Sequence, residues 1–224
     1  MSRVPLLLIW AAIVSCRTEE QELVERYLEA SRRDDDQMVA LLSMVAFPGK
    51  LVDYRVVSVG SELRARYRLS AVRERVEAAE ARRNEQFEAF SEFRRTNYDE
   101  LLRVQKLLAE DPERKLEGRL AELDARWNAF RDERRQVVTS LHEAERALER
   151  EVRLVSKSLQ QEAEPEQLEG ETLTKAASIR VTTEEGGGEQ AFVVTLTRFD
   201  LRNSRGAVVP SRWVVSAVAP ENAL

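Results

Sequence analysis

The sequence predicts an α+β fold: two short N-terminal helices and an antiparallel sheet of about five strands, with a long antiparallel two-helix coiled-coil hairpin inserted between strands 2 and 3. Three observations lead there. Apolar residues recur at helical spacing between residues 20 and 45, they alternate with polar residues on either side of the chain's middle, and they follow a 4-3 repeat through the middle itself.

In chain order, Leu23, Val24, Tyr27 and Leu28 make one amphipathic stripe and predict a first helix over residues 20–31. Asp34 to Asp36 interrupt the stripe and, as acidic residues suited to a helix N-terminus, begin a second helix. Met38, Val39, Leu41, Leu42 and Val45 continue that helix until Pro48-Gly49 stops it. From Leu51 the period becomes two. Val57 and Val59 lead to Gly60-Ser61, after which Leu63, Ala65, Tyr67 and Leu69 alternate with arginines, and Gly-Ser between alternating runs predicts a β-hairpin with a type II′ turn.

Between Ala71 and Glu164 the only glycine is Gly118 and the only proline Pro112, in a stretch rich in Ala, Glu, Arg and Leu. Its second half places Leu116, Leu120, Leu123, Trp127, Phe130, Arg134, Val137, Leu141, Ala144, Leu148, Glu151 and Val155 in 4-3 spacing. Only Arg134 and Glu151 break that apolar seam. Its first half carries a weaker one: Val72, Val76, Ala79, Arg83, Gln86, Phe90, Phe93, Asn97, Leu101, Val104 and Leu108. Asp111-Pro112 lies between them, and because Asp caps a helix and Pro suits its first position, a new helix is expected to begin there. Folded back at this point, the two seams pair with numbers of constant sum: Leu108 with Leu116, Asn97 with Trp127 and Phe90 with Arg134 at 224, Phe93 with Phe130 at 223. At a rise of 1.5 Å per residue the tip, near residues 109–114, is expected roughly 60 to 70 Å from the sheet. Beyond Pro165 and Gly170, Ala177, Ile179 and Val181 alternate, Gly186 to Gly188 mark a hairpin end, and Phe192 to Leu201 form its second strand. Asn203 to Gly206 are a further turn, and Val208 to Val218, with Pro210 near its start, read as the last strand.

Composition narrows the function. The formal charge of −5 conceals an even mixture, with 8 Lys or Arg against 9 Asp or Glu in residues 71–110 and 11 against 13 in residues 111–164. No clustered cations emerge to neutralise phosphates, so nucleic-acid binding is not expected. His142 is the only histidine and Cys16 the only cysteine, which leaves neither a metal set nor a nucleophile with its base. Carboxylates on the helices alternate with arginines three or four positions away, the pattern of a solvated face. No cofactor, metal or catalytic residue is assigned, and the chain is read as not an enzyme. Trp127 and Trp213 are assigned to packing.

Met1 to Arg3 give a short positive start, Val4 to Ile13 an apolar run too short to span a bilayer, and Ile13-Val14-Ser15-Cys16 resembles the lipobox of bacterial lipoproteins. The resemblance implies a signal peptide over residues 1–15 and a diacylated Cys16 as the first mature residue and membrane anchor. Arg17 rather than Asp after the anchor implies, by resemblance to proteobacterial sorting signals, an outer-membrane, periplasm-facing location in the cell envelope. Acylation also leaves no thiol for a disulfide. The remaining base, residues 16–70 plus 170–224, resembles small lipoproteins of the nuclear transport factor 2-like, or cystatin-like, α+β class through Val24-Glu25-Arg26-Tyr27-Leu28-Glu29-Ala30, the acidic break at Asp34 to Asp36 and Tyr54-Arg55-Val56-Val57-Ser58-Val59. That class often wraps a curved sheet around a small pocket, but none of its functional residues transfers here.

With residues 71–169 as the hairpin, the expected function is a lipid-tethered interaction or scaffold protein. Its tip residues Glu110, Asp111, Glu113 and Arg114 would meet an envelope protein partner. Self-association through leftover apolar Phe87 and Leu102 is a further expectation. Two alternatives share the architecture: a periplasmic holdase, because a β base with helical arms resembles the OmpH-like chaperones, and an efflux or secretion adaptor, whose hairpin also interrupts a β domain.

Overall fold

A computed structural model describes residues 17–161, 163–185 and 188–223. The signal stretch, Cys16, Gly186 and Gly187 lie outside them. The described chain is α+β, with five α-helices and a six-stranded antiparallel sheet. It divides into two compact units. One gathers the described residues up to Ala65 with Glu171–Asp200 and those from Pro210 on; the other holds Arg66–Gly170 and Leu201–Val209.

In the first unit, α1 spans Glu19–Arg32, with the Thr18 hydroxyl accepting from the Gln21 N–H at 3.3 Å and Glu19, Glu20 and Glu22 in the first turn, where the helix dipole favours anions. Asp35 caps α2, Asp36–Leu42, by accepting from the Met38 N–H at 3.0 Å, as the acidic break suggested. α2 stops before the expected Val45. The Ser43 hydroxyl donates back to the Val39 carbonyl, and the Met44 N–H donates to the Val215 carbonyl at 2.8 Å, so the chain joins the sheet instead of adding a turn.

The strands are β1 Leu51–Val59, β2 Leu63–Arg66, β3 Glu169–Thr183, β4 Glu189–Arg202, β5 Val208–Val209 and β6 Val214–Pro220, and α-helices 3 to 5 fall between β2 and β3 in sequence. The expected hairpin at Gly60-Ser61 does not form. β1 and β2 both pair with β3. Gly60 lacks the positive φ that a type II′ turn requires; its N–H donates to the Ala176 carbonyl at 2.8 Å, so the chain runs on along β3 with an interruption. A Cβ on Gly60 would lie 3.2 Å from that carbonyl oxygen, which accounts for glycine there. The last strand is also divided. Val208 and Val209 pair with Arg202 and Leu201 in the second unit, whereas β6 pairs with Phe192 to Thr197 in the first. Pro210, which has no N–H to give a ladder, stands at the division, and this raises the count to six.

The core of the first unit gathers Val24, Tyr27 and Leu28 of α1 with Leu173, Ala177, Ile179 and Val181 of β3 and Val194 and Leu196 of β4. Burial pushes the Tyr27 phenol up to about 12, and its hydroxyl donates to the Val45 carbonyl at 3.2 Å. Trp213 is a packing residue as expected, 3 % exposed, with the Lys175 ammonium 5.2 Å and the Arg198 guanidinium 4.9 Å from its ring centroid.

In the second unit, α3 spans Leu69–Thr96, α4 Tyr98–Glu110 and α5 Gly118–Ser158. α3 and α4 run antiparallel to α5: Arg134 stands over the Phe90 ring at 5.8 Å, Phe130 meets Phe93 at 4.9 Å, and Arg119 pairs with Glu100 at 2.8 Å. Every seam position on both arms is buried or half-buried except Arg83 and Arg134. The polar Gln86 is satisfied there, its amide donating to the Phe130 carbonyl at 3.2 Å.

Three details depart from expectation. The first arm is two helices rather than one, because the Asn97 carboxamide donates to the Phe93 carbonyl at 2.8 Å and competes with the helical ladder. The Trp127 ring reaches Phe90 at 5.1 Å, two turns from its expected partner Asn97. α5 begins at Gly118 and not at Pro112.

Candidate interaction site

Glu110, Asp111, Glu113 and Arg114 come together at the turn that joins α4 to α5, and all four are exposed. α4 ends because Asp111 adopts extended backbone, with φ −148° and ψ 98°. Asp111 then organises the turn: its carboxylate accepts from the Glu113 N–H at 3.2 Å and its carbonyl from the Arg114 N–H at 3.1 Å. Pro112 occupies the second position of that turn, where its fixed φ fits. Aspartate and proline are thus used as turn formers, which is why no helix starts at them.

Below the turn, buried Leu101, Val104 and Leu123 with half-buried Leu108, Leu116 and Leu120 close the seam, and the Arg119–Glu100 ion pair ties the arms beside it. The apolar side chains near the turn are therefore used inward. Three carboxylates and one guanidinium face out, a set that offers hydrogen bonds and charge to a partner carrying complementary cations.

The outer side of the first arm is less polar than the turn. Phe87 is 57 % exposed, Tyr98 51 % and Leu102 47 %. Tyr98 and Leu102, four residues apart, share one side of α4, and Phe87 stands on α3. Sequence reasoning named Phe87 and Leu102 but missed Tyr98, and its four-residue spacing from Leu102 was the signal that could have found it. His142 is exposed, one residue beyond buried Leu141.

Where the seam approaches the strands, Glu151 is half-buried, and burial pushes its carboxyl above the usual range against the opposing charge of Arg68. Nearby, the Tyr67 hydroxyl donates to the Pro165 carbonyl at 3.0 Å and Arg73 pairs with Glu166.

The first unit has a groove of about 360 Å³ bounded by Glu25, Glu29, Arg33, Met38 and Tyr54. Its polar groups satisfy one another. The Tyr54 hydroxyl donates to Glu29 at 3.2 Å, and Arg32 and Arg33 hold the same carboxylate at 2.8 and 2.6 Å. The hydrogen bond from Arg32 holds Glu29 below its ordinary pKa, while burial, then the Glu29 charge, raises Tyr54. Elsewhere on α1, burial raises the Glu20 carboxyl, but the hydrogen bond from Lys175 at 2.5 Å, those from its own backbone N–H and the Thr18 hydroxyl, and the Lys175 charge together outweigh it and the net shift is downward.

Among the described residues no group of three or more His, Cys, Asp or Glu is placed to hold a metal, and no helix is long and apolar enough to cross a membrane. Cys16, the lipidation site assigned from sequence, is not among them. No family model, no curated protein and no solved structure matches this chain.

Proposed function

We propose that this chain is a membrane-anchored envelope lipoprotein, beginning at diacylated Cys16, that works as a non-enzymatic interaction or scaffold protein through a coiled-coil hairpin inserted between β2 and β3. The supporting observation is the closed seam. Because α3 and α4 satisfy the apolar face of α5 internally, the arms need no second chain to bury it, and a 41-residue helix about 60 Å long leaves its turn exposed. Such an element carries its turn a helix's length from the opposite end of α5, and the chain then has two attachment points. One is the lipid at Cys16; the other is the turn with Glu110, Asp111, Glu113 and Arg114, which meets an envelope protein carrying basic groups. Exposed Phe87 on α3 and Tyr98 and Leu102 on α4 add apolar contacts for that partner or for a second copy. The lipobox and Arg17 support a periplasm-facing position at the outer membrane.

The test is a hairpin shortened by replacing residues 90–133 with a short Gly-rich turn, which removes matched lengths of both arms and keeps a reversal between the remainders, combined with photo-crosslinkers at Glu110 and Glu113 in the full chain. We expect one envelope protein to be captured at the turn and its association to vanish in the shortened chain. Identical partners and envelope phenotype without residues 90–133 would overturn the proposal.

A further inference from the structure

We propose that the first unit docks directly on a phospholipid surface through the patch formed by Arg26, Leu41 and Arg212. This rests on acylation of Cys16 and adds to it the face that is held against the lipid. Only Arg17 separates Cys16 from Thr18, the residue that caps α1. Two residues span at most about 7 Å, so an acylated Cys16 brings the start of α1 within a headgroup's depth of the bilayer.

The surface around that helix start has the composition of an interfacial contact. Glu19, Glu22 and Arg26 of α1, Leu41 and Leu42 of α2, and Arg212 just before β6 surround a groove of about 190 Å³. That is smaller than the roughly 300 Å³ at which small-molecule sites begin, so the groove is not a ligand pocket. Leu41 is 47 % exposed, whereas Leu42 beside it is buried in the core. Arg212 reaches alongside, its guanidinium donating to the Leu41 carbonyl at 3.4 Å, and Arg26 is exposed at the rim. An apolar side chain sharing a groove with long cationic ones suits the headgroup boundary, where the stems lie along acyl chains and the charged ends meet phosphates. Glu19 and Glu22 oppose anionic lipid, so the patch does not hold a membrane unaided. The short tether keeps it at high effective concentration, and docking depends on that tether.

The full-length acylated chain in vesicles of phosphatidylethanolamine and phosphatidylglycerol tests this. Acylation consumes the only cysteine, so Leu41→Cys supplies a unique thiol for an environment-sensitive fluorophore. Val52→Cys is the comparison on the same unit. Val52 is 50 % exposed and sits beside Leu51, which pairs with Thr183, eight residues along β3 from the Lys175 that holds Glu20, or about 26 Å at strand rise. Lipids brominated near the headgroup are expected to quench the label at position 41 at least threefold more than at position 52. A twelve-residue Gly-Ser insertion after Cys16 is expected to bring the two to the same level. Equal quenching in an acylated, vesicle-bound chain overturns the docking while leaving the anchor intact, and retained quenching with the insertion overturns its dependence on the tether. A mass for the mature chain without acyl groups overturns the lipoprotein reading and the docking together.

Discussion

Phe93 of α3 and Phe130 of α5 face each other across the helical pair with ring centroids 4.9 Å apart and planes tilted by 41°. Phe93 is 7 % exposed, and the Arg126 guanidinium lies 5.2 Å from its ring centroid. A buried aromatic so enclosed should dominate the local stability. Phe93→Ala is expected to destabilise the chain by about 3 kcal/mol, the usual cost of emptying a core aromatic site. Leu102→Ala, on the exposed side of the same arm, should stay within about 0.5 kcal/mol. Urea unfolding followed by circular dichroism compares the two, and equal effects would mean that the seam does not hold the arms together.

Asn97 is the one seam residue that turns a continuous arm into two helices. Its carboxamide is bonded to the Phe93 carbonyl, and it is half-buried where the heptad calls for an apolar side chain. Asn97→Leu removes the competing donor and adds apolar burial, for an expected gain of about 1 kcal/mol. Amide exchange at residues 95–101 should slow in the variant. Unchanged exchange with lower stability would show that the break is required by packing against α5.

The parts of this fold legible in the sequence are those fixed by local periodicity. Pairing Phe93 with Phe130 and Phe90 with Arg134 needed only two 4-3 seams and a turn between them, because an antiparallel helical pair has a single register once its turn is located. Strand partners were not legible. Alternation identifies Leu51–Val59 and Leu63–Arg66 as strands, yet a period of two looks the same whether the chain reverses at Gly60 or continues along β3. The choice was made by the Gly60 N–H bonding to Ala176, more than a hundred residues away. The exposed turn charges were likewise readable, being a consequence of where the seam ends. Tyr98 was missed because it adjoins the seam residue Asn97 and its exposure depends on which side of the broken arm faces α5.

Glu151 carries a pH dependence of definite sign. Its folded pKa is raised above 4.5 by burial, so the native chain holds this proton more firmly than the unfolded one. The associated stability is fully present below the ordinary carboxylate range and is lost as pH rises through the elevated folded value. Glu151→Gln should therefore flatten the thermal midpoint over the interval just above pH 4.5, where the parent chain declines. Glu151→Leu should raise neutral-pH stability by about 1 to 2 kcal/mol by completing the seam. A parent midpoint that rises with pH across that interval, with the rise abolished by Glu151→Gln, would contradict the assignment.

Gly118 distinguishes the observed start of α5 from the start that Asp111-Pro112 suggested. Its φ is +54°, and a Cβ there would meet nothing within 4 Å, so substitution is penalised by backbone conformation alone. Gly118→Ala is expected to cost about 1 kcal/mol, and Gly118→Asn less, because Asn tolerates the left-handed region. Were α5 to run from Pro112, Gly118 would be an interior helical residue, and Ala would instead stabilise by about 1 kcal/mol. The sign of that one change, read from a urea midpoint, decides between the two starts. Pro112→Ala should shift stability by less than about 1 kcal/mol, since it mainly loosens the unfolded chain at a turn that Asp111 still organises through its bonds to Glu113 and Arg114.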